Sequence, residues 1–199
     1  MVANPKYDPI FPEDRPGMPM TEEAFERMIN GESPYHYEWI DGVVYNMTGS
    51  SPEHSVISSN IDHLFSEQLE QFGSCYTHRE QYVAIPGMPT VAPDVVVTCD
   101  PADWDKDKRL NPFKIRSPLI AVEVLSSSTE RYDRTEKFAR YKRCPTLEVY
   151  MLVSQDEPFV EVYRRSTGWK RECFAAHQVV MLDQLDLELP LAAVYEGVF

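Results

Sequence analysis

Leu119-Ile120-Ala121-Val122-Glu123-Val124-Leu125-Ser126-Ser127-Ser128-Thr129 is the stretch whose reading decides the fold. Leu119 to Leu125 is a strongly apolar strand interrupted by one carboxylate, Glu123. The hydroxyl run Ser126 to Thr129 then reads as the cap of a helix from about Glu130 to Arg143, with Pro145 ending it. Leu147 to Val153 follows as another apolar strand. It forms an expected hairpin with Phe159 to Arg164 across Gln155-Asp156-Glu157-Pro158, and Ser166-Thr167-Gly168 turns into a strand near Lys170 to Ala175. Upstream, Val91 to Thr98 is an apolar strand broken at Pro93-Asp94, preceded by an extended run from Tyr76 to Ile85 and the turn Pro86-Gly87-Met88-Pro89. Strands alternating with a helix imply one mixed sheet flanked by helices, an α/β architecture.

Further outward, Ser51-Pro52-Glu53 combines an N-cap, a proline at the first helical position and an acid in the first turn. Ile57, Ile61, Leu64, Phe65, Leu69 and Phe72 then recur at helical spacing, and Gly73 suits the helix end. Thr21 caps an expected short helix to about Asn30, with Phe25, Met28 and Ile29 on one face. Tyr37 to Ile40 and Val43 to Met47 flank Asp41-Gly42, a strong hairpin signal. Asp100 to Pro112 reads as a charged surface loop with a helical turn. The tail holds a short strand at Val179 to Leu182 and a helical turn around Ala192 to Tyr195.

At 199 residues the chain suits one core better than two. Residues 1–19 read as an N-terminal arm and 20–199 as a single domain. The arm carries Pro, Asp, Glu and Lys where a secretory signal has a basic start and an apolar run. No apolar run reaches the roughly 18 residues of a membrane span. The four cysteines, Cys75, Cys99, Cys144 and Cys173, form no Cys-x-x-Cys pair, which argues against a zinc cluster. Reduced thiols in a cytoplasmic protein are the expectation. The formal net charge of −13 opposes tight non-specific DNA binding by the monomer. Positive charge gathers locally at Arg131, Arg134, Lys137, Arg140, Lys142 and Arg143.

Asp94 and Glu123 each break an apolar strand. A carboxylate buried there costs several kcal/mol unless it is paired or neutralised. Either acid alone is explained by pointing into solvent or capping a loop. Together, on strands that can lie about 4.8 Å apart, they can converge on one hard cation. Glu38 reads equally as a third acid or as a cross-strand polar residue. Lys137 reads either as an i,i+4 surface partner of Asp133 or as a cation aimed at the acids. The backbone donors near Thr129 would add an anion subsite. His54, in the first turn of its helix, is expected to be solvated or capping. The aromatic residues from Tyr132 to Tyr141 are expected in the core.

With these residues in view, the chain resembles the Uma2-type family of PD-(D/E)xK nuclease-like proteins. The resemblance rests on Thr21-Glu22-Glu23-Ala24-Phe25, Tyr37-Glu38-Trp39-Ile40-Asp41-Gly42 and Ser51-Pro52-Glu53-His54. It continues through Ala92-Pro93-Asp94, Val122-Glu123-Val124-Leu125-Ser126-Ser127-Ser128-Thr129, then Asp133, Lys137 and Tyr141, and finally Glu148 to Val153. It implies a restriction-endonuclease-like core, a mixed β-sheet flanked by helices with extra β-hairpins. It further implies an acidic site of Glu38, Asp94 and Glu123 that binds Mg2+ or Mn2+. Leu125 stands where the standard motif has its lysine, and the resemblance places that lysine on the next helix, at Lys137. Ser127 replaces the proline of the Ser-Pro-Ser-Thr element.

The implied activity is magnesium-dependent hydrolysis of DNA phosphodiester bonds. Asp94, Glu123 and Glu38 are the expected ligands, and Lys137 steadies the nucleophile or the developing charge. Two other readings stand beside it: a non-catalytic interaction protein on the same fold, and a hydrolase of small phosphoesters. The apolar tail from Leu189 to Phe199, read as exposed, implies partner binding or a homo-oligomer such as a dimer. No DNA-reading module accompanies the core, so sequence-specific cutting by this chain alone is not expected.

Overall fold

The computed structural model describes residues 17–31, 35–47, 50–71, 73–105, 107–108 and 113–199. The rest of the expected N-terminal arm, Phe72, Lys106 and residues 109–112 lie outside the described residues. The quoted strand is β6 (Pro118–Leu125), at the middle of a six-stranded sheet. In spatial order its neighbours are β4 (Tyr76–Arg79), β5 (Val95–Thr98), β6, β7 (Val149–Ser154), β8 (Phe159–Arg164) and β9 (Arg171–Ala175). Only β6 and β7 pair in parallel; the remaining neighbours are antiparallel. A parallel pair needs a long crossover, and the chain supplies a helical one.

That crossover is α4 (Glu130–Tyr132), a π turn (Asp133–Lys137) and α5 (Phe138–Tyr141), not the uninterrupted α-helix expected. The wide turn holds Asp133 and Lys137 inside, each 3% exposed. Side chains serve carbonyls in the turn and just before it: Tyr150 Oη donates to Asp133 O at 2.9 Å and Thr135 Oγ1 to Arg131 O at 2.6 Å. Such turns recur at functional sites. Thr129 makes no side-chain cap. The N–H groups of Thr129 and Glu130 both donate to the Ser126 carbonyl, at 3.1 and 2.9 Å.

Helix α2 (Pro52–Leu69) lays Ile57, Ile61, Phe65 and Leu69 on one face of the sheet, against Val95, Val97, Val122 and Val124. The alternate residues Val96, Ala121 and Leu125 face the other way, into a second core with Tyr141, Tyr150, Val83, Val91 and Ile115. Phe138 stacks on Tyr150 at 4.9 Å, so the helix aromatics belong to the core as read. A smaller sheet orders β1 (Met18–Pro19), β3 (Val43–Asn46) and β2 (Tyr37–Ile40). Asp41 and Gly42 both take positive φ, 48° and 86°, the geometry of a tight primed hairpin turn. Helix α1 (Glu22–Ile29) is capped by Thr21, whose Oγ1 accepts from Ala24 N at 3.3 Å, and it buries Phe25.

Three expectations are corrected. Cys75 and Cys99 are not free thiols but a disulfide, because the β4–β5 register that pairs Tyr76 with Thr98 sets them opposite each other. The loop after Thr98 is not wholly at the surface. It contains α3 (Pro101–Trp104), whose Asp103 is fully buried and accepts from Arg116 N and Ser117 N, each at 2.8 Å. The C-terminal apolar run is not an exposed patch. Strands β10 (Val179–Leu182) and β11 (Leu187–Pro190) pair, and α6 (Leu191–Val194) follows. Leu187, Leu189, Leu191 and Val194 are all 0% exposed in the main core, and Phe199 is the one large apolar side chain of this run that is largely exposed. Among the described residues no helix is long and apolar enough to cross a membrane.

Candidate active site

The antiparallel register that pairs Val95 with Val122 places the preceding residue, Asp94, across from Glu123. Both acids follow the alternation of Val96 and Ala121, so both leave the α2 face. A direct bond ties Asp94 to β6: Val124 N–H donates to Asp94 Oδ2 at 2.7 Å. Glu123 is 2% exposed, while the Asp94 side chain keeps 21% of its surface open. The two expected acids are therefore brought together, one deep and one accessible.

Lys137 joins them from the π turn. Its ammonium lies 2.8 Å from Glu123 Oε2, 2.8 Å from Glu38 Oε1 and 3.6 Å from Asp133 Oδ1, and it donates to Ala92 O at 3.0 Å. An ammonium has three donors, and three acceptors stand within 3.0 Å, so none is left over. Both readings of Lys137 contain part of the geometry. It does pair with Asp133, but in the interior and alongside the other acids.

Glu38 arrives from β2. The hairpin is tied to α5 through Arg140, which donates to Trp39 O and Tyr132 Oη, each at 3.1 Å. Glu38 Oε1 also accepts from Ala92 N at 3.0 Å. It thus braces the Pro93-Asp94 segment and the lysine. Of the local basic cluster, Arg140 and Lys137 are buried, and Arg134 is held by Glu130 and Glu161 at 2.7 and 2.9 Å. Those side chains do not form a basic face for DNA.

Charge balance explains the titration behaviour. Three carboxylates share one ammonium, leaving two formal negative charges buried. Burial pushes Glu123 well above the ordinary carboxylate range, and Lys137 only partly opposes it. Burial likewise pushes Asp133 up to about 7, against Lys137 and with Glu38 adding to the rise. Burial alone would lower Lys137, but Glu123, Glu38 and Asp133 outweigh it and hold the group cationic.

These side chains line a pocket of about 380 Å³. Its remaining wall is largely neutral and polar, with Ser50, Ser51, Ser126 to Thr129 and Gln155. The Ser126 hydroxyl bonds those of Ser128 and Thr129 at 3.1 and 3.0 Å. His54, expected to be solvated or capping, instead faces the site, its Nε2 3.3 Å from Asp94 Oδ2. Burial lowers its affinity for a proton, but Asp94 outweighs that and raises it above the usual histidine range. The Ser51 N-cap was legible in sequence and fixes where His54 falls on the helix. Gln155, from the turn between β7 and β8, carried no such signal.

The donor set suits a hard cation of low protein coordination. Glu123 Oε1 is buried without a hydrogen-bond partner, and Asp94 opens into the same pocket. Among the described residues no three His, Cys, Asp or Glu side chains stand ready as a ligand set; Glu38 Oε1 is engaged by Lys137 and Ala92, and its Oε2 is buried without a hydrogen-bond partner. Two carboxylates completed by water and substrate phosphate is the common pattern for magnesium.

The six-stranded mixed sheet with flanking helices is a restriction-endonuclease-like α/β fold. A crystal structure titled as a putative nuclease belonging to DUF820, from Anabaena variabilis, superposes with a TM-score of 0.76 at 18% identity, covering 91% of this chain and 100% of that one. The chain belongs to the Uma2 family, whose model, described as "Putative restriction endonuclease", matches residues 22–193. Uncharacterized protein slr1290 of Synechocystis sp. is 34% identical over 165 residues, 81% of this chain and 84% of that protein. Uncharacterized protein sll1609 of the same organism is 25% identical over 130 residues, 64% and 71% of the two chains.

Proposed function

We propose that the protein is a metal-dependent phosphodiester hydrolase acting on DNA, with Mg2+ or Mn2+ as its ion. The observation that carries this reading is the opposition of Asp94 and Glu123 across β5 and β6, with Lys137 ion-paired to Glu123. Asp94 and Glu123 would hold the ion, which when bound lowers the pKa of water and polarises a phosphate. Glu38 takes a different part from the ligand role read in sequence: it holds Lys137 in place and fixes the segment before Asp94.

Lys137 has its donors engaged, so it acts as a fixed positive charge beside the phosphate subsite. The hydroxyls of Ser126 to Thr129 offer neutral donors to phosphate oxygens, which suits a chain of net charge −13. With little basic surface, contact with DNA is expected to be weak and concentrated at the site. Burial of the C-terminal run removes the surface on which the interaction-protein reading relied.

The test is incubation of the purified chain with single- and double-stranded DNA in Mg2+ or Mn2+, with a chelator control. Cleavage that needs the ion and disappears in Glu123→Gln, a variant that still melts cooperatively, is expected. Equal cleavage by that variant would sink the site assignment.

A further inference from the structure

We infer that His54 is a positioning residue for Asp94, fixing which carboxylate oxygen is left to face the pocket. The inference rests on the proposed metal site and adds to it a residue outside the sheet. Asp94 Oδ2 faces two donors, Val124 N at 2.7 Å and His54 Nε2 at 3.3 Å. Two donors on one oxygen set the rotation of the carboxylate and occupy that oxygen's lone pairs. Among the described residues no protein donor reaches Oδ1, which remains for a cation.

The helix turn that carries the imidazole is itself held. The His54 backbone N–H donates to Ser51 Oγ at 3.1 Å, the N-cap bond of α2, and the Ser51 hydroxyl donates to Gln155 Oε1 at 3.1 Å. Pro52 stiffens the first helical position, and Ile57 and Ile61 anchor the helix in the core. His54 sits third after its cap, where a Glu or Gln commonly reaches back to the cap's own N–H. Here the side chain reaches outward to Asp94 instead. A rigid helix entry thus sets an aspartate on a neighbouring strand, as groups behind metal ligands do.

The experiment is calorimetric titration of Mn2+ into the full chain as wild type, His54→Gln and His54→Leu, with metal-free melting temperatures alongside. Glutamine keeps a donor at the end of the side chain and leucine removes it. Binding within about threefold of wild type is expected for glutamine and a loss of about 10–100-fold for leucine. Melting temperatures of the metal-free forms should stay close together. Wild-type affinity in His54→Leu would overturn the inference while leaving the metal site standing. Loss in both variants with a collapsed melting temperature would mark His54 as purely structural and overturn it too. Absence of Mn2+ binding by the wild type would overturn both the inference and the reading beneath it.

Discussion

Replacing Lys137 with methionine removes the ammonium while keeping most of the side-chain volume. Glu38, Glu123 and Asp133, at 1%, 2% and 3% exposure, would lose the one cation that lies 2.8, 2.8 and 3.6 Å from them. Removing one partner of a buried ion pair costs about 3–5 kcal/mol, because the remaining charge is left uncompensated. For a chain of this size each kcal/mol moves the melting temperature by about 2–4 °C, giving a fall of about 6–20 °C. Acid should recover part of it, since protonated carboxyls need no counter-charge, and burial already raises both Glu123 and Asp133 above the ordinary carboxylate value. Thermal unfolding by circular dichroism, with chelator present, at pH 8 and pH 5 measures both effects. A variant that melts within about 2 °C of wild type at pH 8 would refute the counter-ion reasoning, as would a deficit that does not shrink in acid.

Two further outcomes follow from the same structure. Asp133 is raised from 3.8 to about 7, so the folded chain holds its proton more tightly than the unfolded chain does. Its contribution to stability is full below the unfolded value and is lost as pH rises through about 7. Asp133→Asn should therefore flatten the fall in metal-free melting temperature between acid and pH 8; identical slopes in the two proteins would contradict this. The Cys75–Cys99 bond closes a loop with a sequence separation of 24. Loop entropy of about 3 kcal/mol makes a drop of several degrees the expected effect of reduction or of the double serine variant. Equal melting with and without reductant would count against it.

What was legible in the sequence was local. Val91 to Thr98 and Leu119 to Leu125 read as strands, the first of which forms only from Val95, and Asp94 and Glu123 are conspicuous because carboxylates interrupt these apolar runs. The Asp41-Gly42 hairpin and the Ser51 cap rest on short-range backbone chemistry, and both are present. What was hidden depends on register and packing. Cys75 and Cys99 meet only because β4 and β5 pair in one register. The π turn widens around Asp133 and Lys137 at a place where residue periodicity still reads as ordinary helix. Leu189 and Leu191 looked exposed because β11 is short and its partner β10 lies just upstream, while the core they fill is built by α2, far away in the chain. His54 reads as solvated or capping because its neighbour, Asp94, is forty residues off in sequence and adjacent only in the folded site.

The most direct measurement of the central claim is calorimetric titration of Mg2+ and Mn2+ into wild type and Asp94→Asn. Asp94 is the accessible carboxylate, so its neutralisation should remove binding without disturbing the buried Glu38–Lys137–Glu123 group. Saturable binding by the wild type, lost in the variant at an equal metal-free melting temperature, is the expected result. Equal affinity in the two proteins would contradict the assignment of Asp94 and Glu123 as the metal-holding pair.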